Sequence, residues 1–310
     1  MADDASAPVV TVTFNPAIDY TLTTDTLVDG HVSRTDEARF DPGGKGINVA
    51  GYLTALDAHA VATGFVGGFT GSFIRTRLDD EGLAHDFVSI PGNTRMNVTL
   101  STPEAEYKIN HDGPTVDAGA VARVVDRIES YDPETVVVGG SLPPGLDVDA
   151  VDAVAEAGSW ETVVDMDGAA LARLDATYAA CKPNREELHA ATGLPTDSVE
   201  DCIAAAEALR DDGYERVIAS LGPDGAILVS AEGATRVPAA DVDVVDTVGA
   251  GDALLSGVLC GWVRGYDDDD ALRLGVAVAT RVVGTAGTAA SADEDLDFSP
   301  GNADARGVRA

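Results

Sequence analysis

The chain of 310 residues is 45% hydrophobic, enough to bury a full core as one large domain or two modest ones, and its net charge is −33, from 53 acids against 20 bases. The acids are spread along the whole chain, and Lys45, Lys108 and Lys182 are its only lysines. Such a surface repels itself at low ionic strength, disfavours nucleic acids and anionic membranes as partners, and points to a halophilic protein screened by a salt-rich cytoplasm.

The opening MADDASAP lacks the basic and apolar segments of a signal peptide, and no run of about 18 uncharged apolar residues occurs, so a soluble, cytoplasmic chain is expected. A first strand is expected over 9–14, where Asn15 and Pro16 break it and leave Asp19 near its C-terminal end, the edge at which open parallel sheets bind ligands. Residues 20–42 and 92–112 alternate polar and apolar without helical periodicity, and fit a small separate β-layer lying over the crevice as a lid of about 19–42 and 92–113. Between them, Gly43, Gly44 and Gly46 make a turn that opens an amphipathic helix and then a buried strand. Past residue 115 the chain reads as βα units: a helix over about 117–130, a strand at 135–140, a helix near 147–157, a strand at 162–166, and a helix opened by CKPNREELHAATG. RVIASLGPDGAILVS is two strands about a turn, and helices follow over about 250–265 and 269–284. The tail after Ser291, like residues 1–8 and 301–310, is expected to be flexible around one domain spanning 9–300.

Cys181, Cys202 and Cys260 lack C-x-x-C spacing and support neither a disulfide framework nor a zinc site, and the five histidines show no ligand spacing. Neither G-x-x-x-x-G-K-[ST] nor a G-x-G-x-x-G after the first strand is present, which disfavours a P-loop or a dinucleotide enzyme. The stretch VDTVGAGDALLSG carries the chemistry. Unpaired amides and the positive end of the helix dipole make Gly249, Ala250 and Gly251 an anion cradle, and Asp252 reads equally as a cap or as a catalytic carboxylate. Lys45 sits among glycines at another helix start, where the dipole disfavours a cation, so it answers an anion.

GGKGINVA, GSLPPG, KPNREEL, SLGPDGA and VDTVGAGD, in that order, resemble the PfkB or ribokinase-like family of sugar kinases over residues 9 to about 291. The resemblance implies a ribokinase-like three-layer α/β sandwich with a mostly parallel central sheet and a small β-sheet lid. It implies ATP-dependent phosphorylation of a sugar with Mg2+, Asp252 acting as general base beside the 249–251 anion hole. Asp19, Gly43, Gly44, Asn48 and Asn97 would face the sugar; Lys45, Arg95 and Ser141 would hold the phosphate of a phosphosugar. Ser220, Gly222, Gly225 and Thr247 would line ATP, with adenine against the helices after residue 275. Asn184 and Glu187 match the element that places magnesium and the ATP phosphates through waters, a spacing that equally makes a helix capping box. Asp246, Gly287 and Ser291 resemble a loop for a monovalent cation such as K+, although a small residue is common where Asp246 stands.

The wording is most like members that convert fructose 1-phosphate to fructose 1,6-bisphosphate. Kinases of fructose 6-phosphate, tagatose 6-phosphate or an unphosphorylated sugar, and a non-catalytic sugar-phosphate sensor, are the alternatives. Lys45 and Arg95 would be left unpaired on a neutral sugar, and a sensor has no use for Asp252. The lid strands are expected to serve also as the surface of a homodimer.

Overall fold

A computed structural model describes residues 8–35, 37–240, 242–243 and 246–284. Strand β1 (Val9–Thr13) is buried along its whole length. The Asn15–Pro16 break then turns the chain out of the main sheet, so Asp19 falls within β2 (Ala17–Thr23) and not at the end of β1 as the sequence suggests. After β3 (Glu37–Gly43), Gly44 takes φ 136° and starts α1 (Lys45–Ala55), which leads to β4 (Ala60–Val66). Next come α2 (Gly68–Asp80), the short β5 (Val88–Ser89), and a hairpin of β6 (Arg95–Ser101) and β7 (Glu106–Asn110). The βα run continues through α3 (Ala120–Ser130), β8 (Thr135–Gly139), α4 (Asp149–Glu156), β9 (Glu161–Asp165), the one-turn α5 (Gly168–Leu171) and β10 (Tyr178–Cys181). It ends with α6 (Arg185–Thr192), α7 (Val199–Asp211), β11 (Tyr214–Ser220), β12 (Ala226–Ser230), β13 (Gly233–Val237), α8 (Ala250–Val263) and α9 (Asp268–Val283).

The main sheet has the order β13-β12-β11-β10-β9-β8-β1-β4-β5, parallel from β11 to β5 and antiparallel through the β11–β12–β13 meander. Winding runs one way from β1 to β4 and resumes on its other flank at β8, so a crevice opens at the C-terminal ends of β1 and β8. Alternation along the strands feeds two cores. Val136 and Val138 pack with α3, α4 and α7 on one face, and Val137 packs with α1, α8 and α9 on the other. Each such valine contributes roughly 1.5–3 kcal/mol by burial. The three-layer α/β architecture expected from the sequence is therefore observed.

The second sheet, of order β3-β2-β6-β7, is two-faced. Its register aligns Asp41, Asp19, Asn97 and Asn110 across one face, and Phe40, Tyr20, Val98 and Ile109 across the other. Tyr20 stacks on Phe40 at 4.1 Å, and Phe40 meets Phe73 of α2 edge-on at 6.2 Å, which ties this layer to the body. Helix α2 itself escapes the sequence reading, because glycines and threonines interrupt its apolar face and its hold on the core comes chiefly from Ile74 and Leu78.

Helices α8 and α9 cross closely because both are glycine there: a Cβ on Gly257 would lie 2.6 Å from the Gly275 Cα. Gly257→Ala should therefore push the helices apart and destabilise the protein by about 1–3 kcal/mol. Urea unfolding in high salt measures this, and an unchanged midpoint would contradict the close crossing.

Candidate active site

The crevice is lined first by the start of α1. A Cβ on Gly44 would lie 2.6 Å from Thr13 Cγ2, so glycine lets the turn close onto the end of β1 while taking a left-handed φ. The Thr11 hydroxyl donates to the Gly46 carbonyl at 2.7 Å and pins the first turn of α1. Lys45 and Asn48, three residues apart, share one face of α1 and point to two different carboxylates.

Lys45 Nζ lies 2.5 Å from Asp165 Oδ1, and Lys182 Nζ lies 3.4 Å from Asp165 Oδ2. Asp165 ends β9 and is 0% exposed; Lys182, just past β10, is 3% exposed. A buried charge is costly unless paired, and here one carboxylate holds two ammonium groups. Burial works against the charge on Lys45, but Asp165, with smaller contributions from Glu187 and Asp252, more than offsets it and raises its pKa. Asp165 Oδ2 has no hydrogen bond, since Lys182 sits at ion-pair distance without bonding geometry. Gly139 permits this approach, because its Cβ would lie 3.0 Å from that of Lys45.

Beside this cluster, Gly249 (φ 80°) starts α8, and Asp252 in its first turn is only 8% exposed. Asn48 Nδ2 donates to Asp252 Oδ2 at 2.7 Å. Burial pushes the Asp252 carboxyl up to about 6 and Asp165 adds to the rise, while the Asn48 bond, Lys45 and Lys182 oppose it. The Gly251 amide donates to no acceptor among the described residues, whereas that of Ala250 reaches Thr247 O at 3.3 Å. A Cβ on Gly251 would meet Lys182 Nζ at 3.3 Å, so cluster and helix start are in contact. Tyr52, further along α1, is pushed up to about 12 by burial, with the charges of Asp252 and Asp246 adding to it.

The polar face of the small sheet supplies the opposite wall. Asn97 Nδ2 donates to Asp19 Oδ1 at 3.0 Å, while the buried Asn97 Oδ1 has no partner. Burial raises the Asp19 pKa against the Asn97 bond and the charge of Arg95. Gly43 packs so closely on the Asp19 carboxylate that any side chain there would strike it. Arg95 spans the gap to the main body, donating from Nε to Asn15 O at 3.1 Å and from Nη2 to Ser141 Oγ at 3.1 Å. Burial lowers its pKa.

Asn184 and Glu187 form the capping box that their spacing allows: Asn184 Oδ1 accepts from the Glu187 amide at 2.9 Å and Glu187 Oε2 from the Asn184 amide at 2.8 Å. Ser220 ends β11 next to Asn184, and Gly222 and Gly225 bound the turn that follows. Thr247 and Asp246 precede α8, and Asp246 Oδ1 accepts from the Val248 amide at 2.9 Å. Gly287 and Ser291 lie outside the described residues, as does the tail beyond them.

Two charged residues of this site, Asp165 and Lys182, were not singled out from the sequence. The rarity of lysine that flagged Lys45 applies equally to Lys182 beside Asn184, and was the available signal. Asp165 carries none, because TVVDMD reads simply as a buried strand.

Residues 10–295 match the pfkB family carbohydrate kinase pattern. The chain is 52% identical over 289 residues to 1-phosphofructokinase of Haloferax volcanii, covering 93% of this chain and 95% of that one. It is 35% identical to 1-phosphofructokinase of Bacillus subtilis, covering 93% and 94%. The structure of phosphofructokinase-2 from Escherichia coli in complex with potassium superposes with a TM-score of 0.84 at 27% identity, covering 91% and 94%. The chain belongs to the pfkB family of carbohydrate kinases.

The raised Asp252 pKa means that the native state holds this proton more tightly than the unfolded chain, where the ordinary value is 3.8. The stability it contributes is full below about pH 4 and is lost as pH rises through about 6. Asp252→Asn should therefore raise stability at pH 8, and by less at pH 5. Denaturant unfolding at both pH values checks this; a variant less stable than the parent at pH 8 would contradict it.

Proposed function

We propose that this chain phosphorylates fructose 1-phosphate with ATP to give fructose 1,6-bisphosphate, as a single kinase domain. The observation that carries the reading is the buried Asp252, bonded to Asn48 at the start of α8, with two lysines gathered beside it on Asp165. A carboxylate with a pKa near 6 is ionised at neutral pH yet basic enough to accept a hydroxyl proton. In this reading Asp252 takes the proton from the C6 hydroxyl as its oxygen attacks. The amides of Gly249, Ala250 and Gly251 receive the moving phosphoryl group, and Lys45 and Lys182 offset its charge. That assignment moves Lys45 from the sugar's own phosphate to the transferred one, leaving Arg95 and Ser141 to grip the former. Asp19 accepts from sugar hydroxyls, and Asn97 Oδ1 offers a second, unpartnered acceptor. Ser220, Gly222, Gly225 and Thr247 are assigned to the nucleotide.

Magnesium suits the donors present. Asn184 and Glu187, whose second carboxylate oxygen lies outside the capping box, offer a sparse oxygen pair that can hold the ion through waters. When bound, it would neutralise charge on the nucleotide's phosphates. Asp246 alone represents the expected potassium loop among the described residues, and the mechanism does not depend on it. The charge of −33 supports work at high salt, and among the described residues no helix is long and apolar enough to cross a membrane.

A coupled assay with fructose 1-phosphate, fructose 6-phosphate, tagatose 6-phosphate and free fructose tests the reading. Fructose 1-phosphate should have the highest kcat/KM. Asp252→Asn should lower kcat by about 10²–10⁴-fold, and Arg95→Ala should raise KM for the phosphosugar far more than for ATP. Preference for free fructose, or near-normal turnover without Asp252, would refute it.

The homodimer belongs to the same reading. On the apolar face of the small sheet Phe40, Tyr107 and Ile109 are 42%, 47% and 65% exposed, which suits the same face of a second copy. Ile109→Asp should convert a dimer to a monomer in light scattering at high salt. A monomeric parent protein would contradict this surface.

A further inference from the structure

The turn after β11, which borders the side assigned to the nucleotide, is bounded by two glycines. Gly222 and Gly225 both have left-handed φ, at 60° and 90°, and glycine gives the chain there the most freedom to lose. Yet Asp224, at its tip, is held from two sides. Arg185, the first residue of α6, donates from Nη2 to Asp224 Oδ2 at 2.5 Å and from Nη1 to Thr196 O at 2.6 Å. Arg236 of β13 donates from Nε and Nη2 to the Asp224 carbonyl at 3.3 and 3.2 Å.

Stability alone gives little reason for this arrangement. Half-exposed ion pairs contribute about 0–1 kcal/mol, and a cation in the first turn of a helix opposes the dipole. What the pair does fix is geometry, because a planar guanidinium held at two points has little freedom left. Arg185 adjoins Asn184, whose capping box orients Glu187, and Asp224 lies between Gly222 and Gly225. The bridge therefore links the helix start assigned to phosphate and magnesium with the turn assigned to the nucleotide, and the Ser220 amide supports it by donating to Pro183 O at 3.0 Å.

We propose that Arg185 and Asp224 are a positioning pair that sets the 222–225 turn against the start of α6, so that both engage one ATP molecule. The pair touches no reacting atom, and the proposal rests on the kinase reading above.

The test uses the full chain at high salt, with Arg185→Ala, Asp224→Ala and the double variant. KM for ATP and fructose 1-phosphate is measured in each, together with the ATP Kd by calorimetry without sugar. Each single change should raise KM and Kd for ATP about three- to tenfold. The double variant should be no worse than the more severe single one, KM for fructose 1-phosphate should stay unchanged, and Asp224→Glu should restore most of the ATP affinity. Asp224→Ala, at the exposed tip, keeps the test decisive if Arg185→Ala folds poorly. An unchanged ATP Kd, additive effects, or equal rises in KM for both substrates would overturn the pair. If the parent protein binds ATP but phosphorylates no sugar, the kinase reading fails while the Kd values still decide the pair; if it binds no ATP, both fail.

Discussion

One buried carboxylate, Asp165, organises the crevice by holding Lys45 and Lys182 on its two oxygens next to a second buried acid, Asp252. Asp165, Lys182 and Asp252 would each be expensive alone in the interior; with the half-buried Lys45 they form a set whose members are held by what surrounds them. The demands run outward from there. α1 must begin at Gly44 for Lys45 to reach Asp165, glycine at 139 lets its stem pass closely, and glycine at 251 leaves room for the end of Lys182. The parallel sheet meets these demands because β8, β9 and β10 are adjacent and end on the same side, close to where winding reverses about β1.

The small sheet answers a different constraint. One of its faces is polar and closes the crevice through Asp19, Asn97 and Arg95, and the other is apolar and only partly covered by α2. Arg95 bonds to Asn15 and Ser141 on the main body, so the wall assigned to the sugar is tied to the β1 and β8 ends. A strand pattern of period two thus gives one sheet two surfaces of opposite character, one polar and one apolar.

Much of this was readable before any coordinates, because constraints on backbone are written in residue type. Gly44 and Gly249 mark turns that no other residue makes cheaply, and the β-branched runs mark buried parallel strands. The alternation in 92–112 correctly separates a second β-layer from the helix-covered sheet. What escapes is convergence. Nothing near Asp165 indicates that Lys45, 120 positions earlier, will meet it, since that contact is made by strand order and not by spacing. The bond from Asn48 to Asp252, 204 positions away, escapes for the same reason. The placement of Asp19 was misjudged because a Pro-terminated strand ends in the same way whether the chain then enters a loop or another sheet.

The most direct test is a crystal structure with a non-hydrolysable ATP analogue and fructose 1-phosphate bound together. The account predicts the terminal phosphorus at the 249–251 amides, both lysines turned toward its oxygens, and the Asp252 carboxylate within hydrogen-bond reach of the C6 hydroxyl. A terminal phosphate lying away from the start of α8, with Lys45 and Lys182 still committed to Asp165, would contradict it.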